Sequence, residues 1–226
     1  MRGRVVLGLV VLGLLLPGAR AFAAEPTSGL SVGTPTPSIP VFDVTGPYKG
    51  ERICYVCDFQ TAPSLLGFFR GTSDETAELI VRMNELYLAN KARNFKAVAM
   101  IVAGPESKAW LENLGRSANI EIPLTYFTKG PKDVAGRVYK LNPEVENTFV
   151  LAVDRFVVAN VSGIKTGEFD QVTNATARML AGGGALGGVD VAVRLVPVLA
   201  HPPAPRGQRR RHERLIAGRE PALQPD

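Results

Sequence analysis

The residues best equipped for chemistry are Cys54 and Cys57, separated by Tyr55 and Val56 and the only cysteines in 226 residues. At that spacing two sulfurs can close a small disulfide ring, exchange electrons with a partner, or hold a soft metal such as Cu(I). Both histidines, His201 and His212, lie near the end of the chain, so residues 24–200 contain none. Ser-His-Asp and Cys-His nucleophile pairs and histidine-ligated zinc therefore lack a required residue. So does c-type haem, because Asp58 rather than histidine follows Cys57. No cofactor or metal is expected. Asp74, Glu75 and Glu78 cluster where a helix should begin, and acidic side chains there are accounted for by the positive helix end.

The compartment bears on the cysteines. Arg2 and Arg4 precede an apolar run over 5–16, then Pro17 and a small-residue stretch ending Ala21-Phe22-Ala23. That order predicts a cleaved secretory signal peptide over 1–23, since twelve apolar residues fall short of the roughly 20 a membrane span needs. The expected location is periplasmic or secreted, with no stable membrane insertion after cleavage. There a close cysteine pair is oxidised, which favours a disulfide without deciding whether it is structural or catalytic. The formal net charge of +5 is concentrated at the ends. Arg2, Arg4 and Arg20 belong to the signal peptide, and six arginines after residue 200 face three acids. The middle of the chain is close to neutral, so no nucleic-acid partner is expected.

Residues 24–40, rich in Pro, Thr, Ser and Gly, read as an extended lead-in to a domain over 41–181. A short strand is expected at 41–44, and alternation over 52–56 suggests the returning arm of a hairpin. The apolar run 64–69 has the length of a buried central strand. Thr72 and Glu75 fit a capping box, followed by a helix with Leu79, Ile80, Met83, Leu86 and Tyr87 on one face. A strand over 95–103 leads through Gly104-Pro105 into a helix whose apolar face is Ala109, Trp110, Leu111 and Leu114. Strand, helix, strand, helix with short connections predicts a parallel α/β unit. A strand over 120–127 follows, with Pro123 marking an edge or a strand start, and then a short helix or turn over 133–141. A hairpin is expected from 148–153 and 156–161 about Asp154-Arg155, then a helix over 168–180. The Gly-rich break and Pro/Arg-rich stretch over 182–226 read as a flexible tail.

This order resembles the thioredoxin-like fold in its redoxin (peroxiredoxin-type) form. The resemblance rests on Val32-Gly33 with Pro37 and Pro40 before Phe42-Asp43, on the βαβ pair, and on the hairpin beginning Thr148-Phe149 and ending Val153-Asp154. The segment from Thr45-Gly46-Pro47 through the cysteines to Arg70 is also similar to secreted bacterial thioredoxin-like proteins of unassigned activity. It implies an α/β fold of three layers, with a central mixed sheet flanked by helices and an N-terminal β-hairpin extension.

The resemblance also implies where a reactive pair belongs, namely after the central strand at the start of the next helix, whose N-terminus lowers the thiol pKa. Gly71-Thr72-Ser73-Asp74 holds that place here, and the pair precedes the strand. The resemblance further implies a proline before the second hairpin, where Glu146-Asn147 stand. Cys54 and Cys57 are thus expected on a hairpin at the opposite end of the sheet, away from a helix dipole. Two functions remain open. One is a structural or binding role with a Cys54–Cys57 disulfide and a protein partner. The other is thiol–disulfide exchange with Cys54 and Cys57 as catalytic residues acting on a thiol or disulfide substrate, with Arg52 favouring a thiolate and Asp58 opposing it.

Overall fold

A computed structural model of the chain describes residues 27–182. The expected signal peptide, the first residues of the lead-in and all but the first residue of the tail lie outside them. Seven strands form one mixed sheet: β1 (Val41–Asp43), β2 (Arg52–Ile53), β3 (Ser64–Phe69), β4 (Lys96–Ile101), β5 (Leu124–Tyr126), β6 (Asn147–Val153) and β7 (Phe156–Ser162). Their order is β2-β1-β5-β4-β3-β6-β7. The neighbours β3, β4 and β5 run parallel, and the remaining pairings are antiparallel.

Every residue of β3 is buried, which explains why its sequence is a continuous apolar run. Leu65 and Phe69 join one core, with Leu79, Ile80 and Met83 of α2 (Asp74–Asn90), Leu111 and Leu114 of α3 (Lys108–Ser117), and Val172 and Met179 of α5 (Asp170–Leu180). Leu66 and Phe68 join the other, with Tyr55, Val56 and Phe59 of α1 (Tyr55–Phe59) and Ala135 of α4 (Val134–Val138). Leu30 and Ile39, in the extended lead-in, are buried in that second core too. The result is the expected three-layer α/β architecture, with β1 and β2 as a hairpin at one edge.

Several local expectations are corrected. Thr72 and Glu75 form no capping box. Ser73 caps α2, its Oγ accepting from Thr76 N, so the frame sits one residue later. Of the expected apolar face of α3, Leu111 and Leu114 are buried and Trp110 packs half-buried against the same core, while Ala109 is exposed. Of the two readings of Pro123, the strand start holds and the edge does not: it stands just ahead of β5, which is an interior strand. Its carbonyl accepts from Ala99 N, so its missing N–H breaks no ladder bond.

Gly67 lies mid-strand because α2 approaches closely. A Cβ there would meet Met83 Sδ at 2.6 Å and Phe69 Cε2 at 3.0 Å. Gly67→Ala should therefore cost about 1–3 kcal/mol by overpacking. Combining it with Met83→Leu, which withdraws the thioether, should recover part of that loss in urea unfolding. Strictly additive effects would contradict this contact.

Candidate functional site

The cysteines stand at the start of α1 rather than on a hairpin arm, which corrects the expectation from sequence. Strand β2 ends at Ile53, and Cys54 is the N-cap, its sulfur accepting from Cys57 N at 3.2 Å. The chain turns helical because Tyr55, Val56 and Phe59 all bury against the second face of the sheet, a helical rather than alternating spacing. The two sulfurs are bonded to each other, with Cα atoms 5.2 Å apart, within the ordinary disulfide range. Cys54 is half-buried and Cys57 exposed. At five residues α1 sums few peptide dipoles, so its N-terminus gives weak help to a thiolate.

The surroundings of the pair are polar and cross-braced. Cys57 Sγ lies 3.2 Å from Ser38 Oγ, which also accepts from Arg155 Nη2 at 2.9 Å. With the sulfur in a disulfide, the hydroxyl is the only donor of that first contact. Arg155 occupies the β6–β7 turn, just beyond Ala152, the partner of Ser64 at the amino end of β3. Cys57 therefore faces the amino end of β3, across the sheet from the start of α2. Arg52, expected to aid a thiolate, bonds to neither sulfur among the described contacts, and the guanidinium near the pair is that of Arg155. The Asp58 carboxylate accepts from Tyr48 Oη at 2.7 Å, and that partnership holds the Tyr48 phenol above its ordinary pKa.

A buried carboxylate holds α1 in place. Asp43 has no exposed surface and accepts from Gly46 N at 2.7 Å, Tyr48 N at 2.8 Å and Tyr55 Oη at 2.6 Å. A Cβ on Gly46 would come within 2.7 Å of the carboxylate and 2.8 Å of Pro123 Cβ, so glycine is required. Burial, then the bond to Asp43, push the Tyr55 phenol far above the usual tyrosine range.

At the carboxyl end of β3, where the resemblance implies a reactive thiol, Ser73, Glu75 and Asn147 are already paired. Ser73 Oγ caps α2 and also lies 3.1 Å from Thr76 Oγ1. Glu75 accepts from Thr166 N at 2.9 Å and pairs with Lys165 at 3.3 Å, and these two contacts, the backbone bond first, lower its pKa. Asn147, standing where a proline was expected, donates from Nδ2 to Ile164 O at 2.8 Å and accepts from Ile164 N at 3.1 Å. Among the described residues no three His, Cys, Asp or Glu side chains group to hold a metal, and no helix is long and apolar enough to cross a membrane.

No family model and no curated protein matches the chain. Solved structures do. The chain is similar over 69% of its length to a candidate protein disulfide isomerase from Bacteroides thetaiotaomicron, covering 95% of that chain at a TM-score of 0.54 and 14% identity. A candidate thiol:disulfide interchange protein DsbE from Chlorobium tepidum matches over 67% of this chain and 99% of its own, with TM-score 0.54 and 16% identity. The peroxidoxin BcpB of Mycobacterium tuberculosis matches over 66% and 96%, with TM-score 0.52 and 17% identity. At these identities the likeness is one of fold. The chain has the thioredoxin-like fold of the redoxins.

Tyr55→Phe removes a donor from buried Asp43 and should cost about 1–3 kcal/mol. It should also change the alkaline limb of stability. Unfolded tyrosine ionises near pH 10, whereas folded Tyr55 keeps its proton well above that. The folded state then binds more protons, so stability is full below about pH 10 and falls as pH rises beyond it. Urea unfolding between pH 8 and 11 should show a shallower fall in the variant, and an unchanged slope would refute the clamp.

Proposed function

We propose that the protein is exported and acts as a thioredoxin-like scaffold without thiol catalysis, with Cys54–Cys57 as a clasp on α1. The observation that carries this reading is the occupancy of the β3–α2 junction. Ser73 spends its hydroxyl on the helix cap there, no sulfur is present, and both cysteines are bonded to each other elsewhere. The ring spans only four residues, so it constrains the unfolded chain modestly, by about 2 kcal/mol. Its use is local, since it closes the first turn of a helix too short to persist by itself. The role left to such a domain is to bind a protein partner or small ligand, because a fold carries no function of its own.

A second reading, extracytoplasmic thiol–disulfide exchange through the same pair, is favoured by the exposure of Cys57 and the Ser38–Arg155 contact beside its sulfur. Two measurements on the full-length protein separate them, the reduction potential of the disulfide and insulin-reduction turnover. A clasp predicts a potential below about −300 mV and no turnover. A potential near about −200 mV, with turnover lost in Cys54→Ser, sinks the clasp and establishes the oxidoreductase. Export rests on Arg2, Arg4, the apolar run over 5–16 and Ala21-Phe22-Ala23. Mass spectrometry of the protein recovered from a secreting host should find Ala24 as the first residue, and an intact N-terminus would argue against cleavage.

A further inference from the structure

The second face of the sheet opens at the carboxyl ends of β3 and β4 into a cleft of about 280 Å³. Phe68, Val102 and Val145 give it an apolar floor, and Arg70, Arg137 and Lys140 stand around it. The cleft has a topological origin. Strand β3 is parallel to β4 on one side and antiparallel to β6 on the other, so the chain leaves β3 and enters β6 at the same end. The connections diverge there, which is where open α/β sheets leave a crevice. Short helix α4 and the turn after it form the outer wall, with the Tyr139 ring 4.8 Å from that of Phe68 beneath them. None of the cysteines or their partners lines the cleft.

Its charge is one-sided. No acidic side chain lines it, and among the described residues no ion pair or side-chain hydrogen bond engages Arg70, Arg137 or Lys140. The nearby acids Glu144 and Glu146 line a separate depression with Asn147 and Lys165. Three cations without an ion-pair partner, gathered around an apolar pocket, raise the local concentration of anions and offer forked donors to a planar one. The apolar floor calls for a hydrocarbon body. The volume lies just below the roughly 300–1,000 Å³ of drug-sized sites, so the ligand is small.

We infer that this cleft binds a short amphipathic carboxylate, its head between Arg70, Arg137 and Lys140 and its hydrocarbon on Phe68, Val102 and Val145. The inference rests only on the binding part of the proposed function, and the redox measurements above do not bear on it, so either fails without the other. Hexanoate is a suitable probe, titrated into the full-length protein and followed by backbone amide shifts and calorimetry. Saturable binding should move the Val102, Leu141 and Val145 amides, and hexanol should bind at least about tenfold more weakly because it lacks the charged head. The double substitution Arg137→Gln, Lys140→Gln, at exposed positions without structural partners, should weaken hexanoate at least about tenfold while leaving the melting temperature unchanged. Equal affinity for hexanol, unchanged affinity in the variant, or no saturation by about 10 mM would each overturn the site, since specific ligands of this class bind below that concentration. Displacement of hexanoate by inorganic phosphate at equal concentration would overturn the assigned ligand class.

Discussion

A carboxylate without exposed surface has to find donors inside the protein, and Asp43 finds three of different origin. Two are backbone amides of its own loop, and the third is a phenol on α1, twelve residues away. Losing any of them would leave buried polar surface unmatched, at a cost of about 1–3 kcal/mol, or more for a charged group. The carboxylate therefore dictates the path of the β1–β2 loop, the identity of Gly46 and the seat of Tyr55. Because Tyr55 is the first residue of α1, it also dictates where Cys54 and Cys57 stand. The disulfide is downstream of this arrangement. It closes the first turn of a helix whose Tyr55, Val56 and Phe59 pack against the sheet, and the disulfide and that packing together hold a helix too short to persist by itself.

The second organising constraint is β3. With both faces covered it cannot alternate apolar and polar residues, and it feeds two separate cores through odd and even positions. The helical layer on the first face is dense enough to demand a glycine opposite Met83. The second face is covered by less regular material: α1, α4 and the lead-in with Leu30 and Ile39. Thr36 and Gly33 bond to the β6–β7 hairpin, and Tyr139 Oη donates to Pro37 O, so the lead-in belongs to the packed body. A layer built from short pieces leaves gaps, and the cation-rimmed cleft is one of them.

Long-period features were the legible part of the sequence. The run over 64–69 is β3 to the residue, and the hairpin about Asp154-Arg155 and the buried stripe of α2 fall where expected. What was not legible depends on partners distant in sequence. Five residues, Arg52 to Val56, alternate well enough to imitate a strand arm, and only burial against the second core and the bond to Asp43 make the latter part helical. The Ser38–Arg155 contact joins residues 117 apart, and no local pattern announces it. Asp43 was visible as part of a fold phrase but not as a hub, since nothing in sequence says which strand aspartate is buried. The same holds for the cleft, whose Arg70 and Lys140 lie far apart along the chain.

The two ends of β3 divide the possible chemistry between them. At the carboxyl end, the polar groups at the start of α2 and β6 have other partners: Ser73 with Thr76, Glu75 with Thr166 and Lys165, Asn147 with Ile164. Ser73 is the N-cap of α2, and its hydroxyl, not a sulfur, holds that place at the helix N-terminus. Facing the amino end, Cys57 is exposed but stands on a helix of five residues, and its neighbours Ser38 and Arg155 are bonded to each other. Neither place combines a sulfur with a strong helix N-terminus, the combination by which this kind of fold makes a thiolate easy to form. What remains unmatched is the charge of Arg70, Arg137 and Lys140 beside an apolar floor. The inferred binding would use that charge together with the apolar floor of Phe68, Val102 and Val145, at the carboxyl end of β3, whereas Cys57 faces the amino end.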